Sequence, residues 1–194
     1  MKKGDKITGI SQYLQGKSKV RIFAKKIMNT HDFVYHYDSP LGGMTMASDG
    51  EALIGLWLDG QQYYASTLGS KQEQRMLPIF EDTSRWLDVY FTGQKPDFSP
   101  KLRLIGTPFR QMVWQQLLAI PYGQTVSYAD IAHRIAQQRG LTSMSAQAIG
   151  GAVGHNPISL IIPCHRVIGT DGSLTGYAAG IDRKRWLLNL EKGE

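Results

Sequence analysis

The chain carries one cysteine, Cys164, set in Pro163-Cys164-His165-Arg166 at the end of the apolar run Ile158-Ser159-Leu160-Ile161-Ile162. A single cysteine excludes an intrachain disulfide, and one thiol cannot build a cysteine-rich zinc site. Two roles remain, a nucleophile or a small buried hydrophobe, and free cysteine is among the most buried residue types. The neighbours shift the balance toward the nucleophile. A proline, an imidazole and a guanidinium beside the sulfur are polar and stiff, and cationic groups nearby stabilise a thiolate. A Cys-His hydrolase fits poorly, because such enzymes bring nucleophile and base from distant segments, whereas Cys164 and His165 are adjacent.

The cysteine follows a series of helical segments with clear starts. Thr107-Pro108 supplies an N-cap and a proline at the first helical position, and Phe109, Met112, Val113 and Leu117 then recur at helical spacing. Pro121-Tyr122-Gly123 ends that helix. Ser127-Tyr128-Ala129-Asp130 resembles a capping box and opens a second helix through Ile131 and Ile135, which Gly140 stops. A third starts near Ser143 or Ser145. Two short helices around a glycine-containing turn read as a helix-turn-helix, although helical hairpins also occur in proteins that never touch DNA.

The third helix lacks bulk: Ala146, Ala148, Gly150, Gly151 and Ala152 leave it very small side chains. Each interior glycine costs about 1 kcal/mol relative to alanine, so something must compensate. One candidate is close packing against another helix. The other is close approach to a nucleic-acid backbone, since an ordinary helix is about 10–12 Å across and the minor groove only about 6 Å wide.

Ahead of these helices the pattern is strand-like from Asp32 to Asp59. Phe33, Tyr35 and Tyr37 alternate, Ser39-Pro40-Leu41-Gly42-Gly43 makes a turn, Met44-Thr45-Met46 resumes, and Glu51 to Leu58 forms a third strand. Helical spacing takes over from Met76 to Phe91 until Thr92-Gly93-Gln94-Lys95-Pro96 breaks it, and a linker runs to about Gly106. The chain therefore divides into a leader (1–27), a small β-rich domain with few chemical features of its own (28–100), and a mainly helical domain (101–194) bearing the helix-turn-helix. The fold class is α/β, of the α+β kind.

Charge follows the same division. Residues 1–27 hold eight Lys or Arg against the single acid Asp5, residues 28–100 carry a net −6, and residues 101–194 carry +5. The leader has no apolar core of the length a secretory signal needs, and no stretch could span a membrane. It reads as a flexible basic extension ahead of a natural start at Met28, with a nucleic-acid-binding arm as the alternative. Absence of a signal and of cysteine pairs points to the cytoplasm.

The order of motifs carries a more specific message. Gly106-Thr-Pro-Phe-Arg-Gln-Met-Val-Trp114, Ile120-Pro-Tyr-Gly-Gln-Thr-Val-Ser-Tyr128, Ala148-Ile-Gly-Gly-Ala152, Asn156-Pro157 and Pro163-Cys-His-Arg-Val167 closely resemble the O6-alkylguanine-DNA alkyltransferases, also called methylated-DNA–protein-cysteine methyltransferases. The resemblance continues through Gly176-Tyr177 and Lys184 to Trp186-Leu-Leu-Asn-Leu-Glu191. It implies irreversible transfer of an alkyl group from O6 of guanine in double-stranded DNA onto Cys164, each chain acting once, as a monomer, with no cofactor, metal or membrane. It leaves open whether O4-alkylthymine is also a substrate.

By the same resemblance, His165 acts through a water on Cys164 and is oriented by Glu191. Tyr128 donates a proton or hydrogen bond to N3 of the departing guanine, and Asn156 braces the turn between recognition helix and active-site strand. The carbonyl of Val167 and the backbone around Tyr177 and Ala178 border the guanine pocket, Lys184 packs near it, and Ala146, Gly150 and Gly151 face DNA. Arg166 is expected to be structural. Taken singly, Glu191 could be a solvated terminal charge, Tyr128 ordinary helix-start packing and Lys184 a surface lysine. One departure stands out: Gln147 occupies the position where the family places an arginine that enters the base stack. It lacks the charged, planar guanidinium, so weaker base extrusion or DNA affinity is expected. The same residue keeps open a damage-binding module that has lost transfer, although the family's non-repairing relatives replace the cysteine itself.

Overall fold

The computed structural model describes residues 22–23 and 31–194. The leader expected over residues 1–27 lies outside the described residues, apart from β1 (Ile22–Phe23). The Phe33-Tyr35-Tyr37 alternation falls in β2 (His31–Ser39), which turns at Ser39 into β3 (Gly42–Ser48) and then β4 (Leu53–Leu58), an antiparallel meander. The turn depends on Gly42 at φ 102°, a conformation that L side chains resist, and on the Ser39 hydroxyl donating to the Gly42 carbonyl.

Two strands escape the hydropathy pattern. β5 (Lys71–Gln74) is wholly polar and joins the sheet edge beside β2 in parallel, while β6 (Leu102–Arg103) bridges β1 and β4. The sheet order is β1-β6-β4-β3-β2-β5. Arg103 ties β6 to the β3–β4 turn through its ion pair with buried Asp49.

β4 is buried on both faces, which explains its unbroken apolar run. On one face Ile54, Trp57 and Ala47 form a small cluster of their own. The other joins the main core, which extends into the helices. There α1 (Pro78–Phe91) lies between sheet and carboxy-terminal helix. Its Phe80 stacks on Tyr35 (centroids 6.1 Å apart), while Phe91 leans on Trp186 at 6.1 Å.

The expected helix starts are present. In α2 (Pro108–Leu118) Thr107 accepts from the Arg110 amide, and in α3 (Tyr128–Gln138) Ser127 and Asp130 form a reciprocal capping box. α3 ends before Gly140 at φ 64°, and Ser145 caps α4 (Ala146–Gly154). The Trp114 indole N–H donates to the Ala152 carbonyl at 2.9 Å, fixing α4 on α2. The chain closes with α5 (Ile181–Lys192).

The run Ile158–Ile162 leading to the cysteine is a compact turn. It makes a single bridge to Leu56, reverses at Leu160 with φ 67°, and enters a 3-10 turn at Cys164–Arg166. Only then does β8 (Val167–Ile168) pair in parallel with β7 (Val126–Ser127). The apolarity of the run reflects burial on every side, which period-based reading cannot separate from a strand. A non-glycine residue at positive φ is costly, of order 1–3 kcal/mol, and persists only where its surroundings fix it.

Candidate active site

Cys164 opens the 3-10 turn and is only 4% exposed. Asn156, just past the end of α4, braces both sides of that turn. Its Nδ2 donates to the Ile162 carbonyl (2.7 Å) and to Sγ of Cys164 (3.1 Å), and its Oδ1 accepts from the Ile158 amide (3.0 Å). One amide side chain therefore spans the compact turn and touches the thiol, which couples α4 to the sulfur directly.

His165 is fully buried and its Nε2 lies 2.7 Å from Oε1 of Glu191. The carboxylate collects further donors: Tyr90 hydroxyl (2.7 Å) and Arg166 NH2 (2.9 Å) on Oε1, and Arg166 Nε (2.8 Å) and the Gly123 amide (3.0 Å) on Oε2. Arg166 also donates to the Ile120 carbonyl at 2.8 Å. Glu191 is thus no solvated terminal charge.

The titration behaviour follows from this arrangement. Burial pushes the Glu191 carboxyl up, but the hydrogen bonds from His165 and Arg166 and their charges outweigh it, and the net displacement is well below the usual carboxylate range. Burial lowers the His165 pKa; the bond and charge of Glu191 oppose this, while Arg166 and Lys184 reinforce it. His165 is consequently neutral at pH 7, and Arg166 supplies the charge that keeps Glu191 ionised. With its proton on Nε2, His165 leaves Nδ1 as an acceptor, and that buried atom has no hydrogen-bond partner among the described residues.

Burial also pushes the Cys164 thiol up, and the Asn156 hydrogen bond and the Lys184 charge recover only part of that shift. The adjacent Arg166 guanidinium does not offset this, because it is committed to Glu191 and the sulfur is shut away from water. The resting pair is a thiol and a neutral imidazole.

A second cluster borders the sulfur. Lys184 is fully buried, which overturns the surface-lysine alternative, and its Nζ donates to the carbonyls of Val167 (2.5 Å) and Thr175 (2.8 Å). Burial lowers its pKa to about 8, with Cys164 opposing. The Val167 carbonyl expected at the pocket edge is therefore held by Lys184. Tyr128 donates to the Thr175 carbonyl at 3.0 Å, with that of Gly176 at 3.3 Å; burial, then the Cys164 charge, raises its pKa to about 12, so it remains a donor. Tyr177 is buried, and the Ala178 carbonyl accepts from the Gln62 amide at 2.9 Å.

Gly150, Gly151, Tyr177 and Ala178 wall one open cleft of about 310 Å³ together with Gln62 and Tyr63; Cys164 does not line it. Among the described residues, a Cβ on Gly151 would meet nothing within 4 Å, and one on Gly150 only the Tyr128 ring at 3.9 Å. Packing against another helix does not account for these glycines. Ala146 and Gln147 occupy the exposed first turn of α4, outside the hydrogen-bonded cluster around Cys164.

Sequence reasoning missed Tyr90, the Gly123 amide and Gln62. Tyr90 sits at core spacing within an amphipathic helix, and backbone donors carry no residue signature, so neither left a signal to find.

Residues 34–104 match the family model described as "6-O-methylguanine DNA methyltransferase, ribonuclease-like domain", and residues 108–193 match "6-O-methylguanine DNA methyltransferase, DNA binding domain". The methylated-DNA–protein-cysteine methyltransferase of Mycobacterium bovis is 45% identical over 160 residues, covering 81% of this chain and 92% of its own length. That of Haemophilus influenzae is 40% identical over 158 residues, covering 81% and 84%. The chain belongs to the methylated-DNA–protein-cysteine methyltransferase family. Among solved structures, Mycobacterium tuberculosis OGT in complex with DNA superposes with TM-score 0.69 at 43% identity, covering 84% of this chain and 93% of that one.

Within this methyltransferase-family site, the depressed Glu191 pKa makes a stability prediction. The folded pKa lies below the unfolded value of about 4.3, so the contribution is complete above that value and is lost as pH falls below it. In denaturant titrations Glu191→Gln is expected to cost about 3 kcal/mol at pH 7, the lower end for breaking a buried charge pair, and the gap from wild type should narrow toward pH 3. A gap independent of pH would contradict the assignment.

Proposed function

We propose that the chain repairs DNA by direct reversal, moving the alkyl group from O6 of guanine in double-stranded DNA onto Sγ of Cys164 in one irreversible step. The observation that carries this reading is the lone cysteine held by Asn156 beside a neutral, Glu191-bound imidazole. The thiol proton passes through a water to Nδ1 of His165, the sulfur attacks the alkyl carbon, and the C–O6 bond breaks. Tyr128 leaves the Thr175 carbonyl to donate to N3 of the departing guanine, whose developing charge is thereby neutralised. Lys184 holds the Val167 and Thr175 carbonyls in place and lies close enough to favour the thiolate as it forms. The thioether product is not readily displaced, so each chain acts once and needs no cofactor.

The target base must leave the stack to reach so buried a sulfur. The open face of α4, with Ala146, Gly150 and Gly151, approaches the backbone, and Tyr177 and Ala178 border the extruded base. Gln147 fills the vacated space less well than an arginine. The chain acts as a monomer in the cytoplasm, and residues 101–194 carry both DNA binding and the alkyl acceptor while residues 28–100 form the amino-terminal domain. No helix among the described residues is long and apolar enough to cross a membrane, and the free cysteine suits a reducing compartment.

Incubation with a duplex carrying O6-[methyl-labelled]guanine is expected to place the label on the peptide containing Cys164, saturating at one methyl per chain, with none on Cys164→Ser. Label that stays on bound DNA would instead make the chain a damage sensor. Restoring a stacking guanidinium with Gln147→Arg should raise the second-order repair rate roughly fivefold, the equivalent of about 1 kcal/mol of stacking. An unchanged rate would remove Gln147 from the extrusion step.

A further inference from the structure

We propose that Tyr90, contributed by the amino-terminal domain, is a positioning residue for alkyl transfer: it holds Glu191 so that His165 keeps its proton on Nε2 and presents Nδ1 as the base. The proposal rests on the transfer reading of the Cys164 site. Tyr90 is fully buried on α1, 101 residues before Glu191 in sequence, yet its hydroxyl donates at 2.7 Å to the same Oε1 that faces His165. The hydroxyl oxygen also lies 3.3 Å from Nε2 of His165. The three groups close a triangle in which the carboxylate oxygen is shared.

The ring is fixed as firmly as the hydroxyl. Trp86 stacks on it at 5.1 Å and 10°, and Phe91 and Tyr122 meet it edge-on at 5.6 and 6.0 Å. Nothing in that packing requires an oxygen, so phenylalanine would fill the space equally well. What the hydroxyl adds is a donor to an oxygen that would otherwise carry more charge toward His165. A short bond to a carboxylate is roughly twice as strong as a neutral one, so the 2.7 Å contact outweighs the 3.3 Å contact.

Among the described residues the groups facing His165 are Glu191 and Lys184 from α5, Tyr90 from α1, Arg166 from its own turn and Cys164 beside it. Removing the Tyr90 hydroxyl concentrates charge on Oε1, makes His165 easier to protonate and takes away one of the donors that fix the carboxylate's orientation. Protonated His165 cannot accept the thiol proton, so the acid limb of the reaction should move to higher pH.

The test uses Tyr90→Phe in the full chain with an O6-methylguanine duplex. The expected result is an unchanged dissociation constant for DNA, a transfer step slowed roughly tenfold at pH 7, a fraction of the about 10²–10⁴-fold that general acid–base catalysis contributes, and an acid limb displaced upward. In a Glu191→Gln background the same substitution should have no further effect on the limb. The His165 pKa followed by NMR should rise in Tyr90→Phe, and this readout does not depend on transfer. Wild-type rate and limb in Tyr90→Phe, or a slowed step with limb and His165 pKa unmoved, would overturn the proposal. Absence of transfer in the wild-type chain, with the His165 pKa still sensitive to Tyr90, would overturn the transfer reading instead.

Discussion

A carboxylate shut away from water keeps its charge only if it gathers enough donors, and Glu191 gathers them from three separate stretches of chain. Tyr90 comes from α1, the Gly123 amide from the turn after α2, and His165 and Arg166 from the turn that carries the cysteine. Each of those stretches is placed by a different part of the fold. The network therefore works as a register check: the sheet-packed helix, the helical core and the carboxy-terminal helix must all be in position before the last charge can be buried without penalty. Breaking one partner would leave a buried charge under-satisfied, which is far costlier than replacing the whole set with apolar groups.

The network also decides what kind of nucleophile the site holds. Because Arg166 spends its charge on Glu191, it does not draw Cys164 toward the thiolate, and burial keeps the thiol protonated at rest. A sulfur that is both neutral and 4% exposed is protected from casual alkylation and oxidation. Reactivity then depends on a base that becomes useful only when an alkyl carbon arrives. On the proposed transfer, which consumes the cysteine in a single reaction, low resting reactivity is a functional property. Asn156 and Lys184 offset part of the burial penalty, Asn156 from the end of α4 and Lys184 from α5, and both helices also wall the cleft.

Much of this was legible in the residues. The meander from Phe33 to Leu58 showed in its alternation, and Thr107, Ser127 and Ser145 marked helix starts because capping needs particular side chains at particular offsets. The ordered motifs around Cys164 pointed to the right family. Other features were invisible for physical reasons. Lys71–Gln74 is a polar edge strand whose pairing comes from the backbone alone, and Ile158–Ile162 is apolar through burial while its path is a turn. The cationic neighbours of the sulfur were visible, but which partner would claim Arg166 was not. Tyr90 looked like one more core aromatic, and residues 28–100 looked chemically silent, because a contact across 101 residues leaves no local spacing to read.

The central claim is that the buried network holds His165 neutral with its proton on Nε2. The most direct measurement is ¹⁵N NMR of the imidazole nitrogens in the intact chain at pH 7. The account predicts a protonated Nε2 coupled to the Glu191 carboxylate and an unprotonated Nδ1. An imidazolium, or a neutral ring with the proton on Nδ1, would contradict it, because neither could accept the thiol proton at Nδ1.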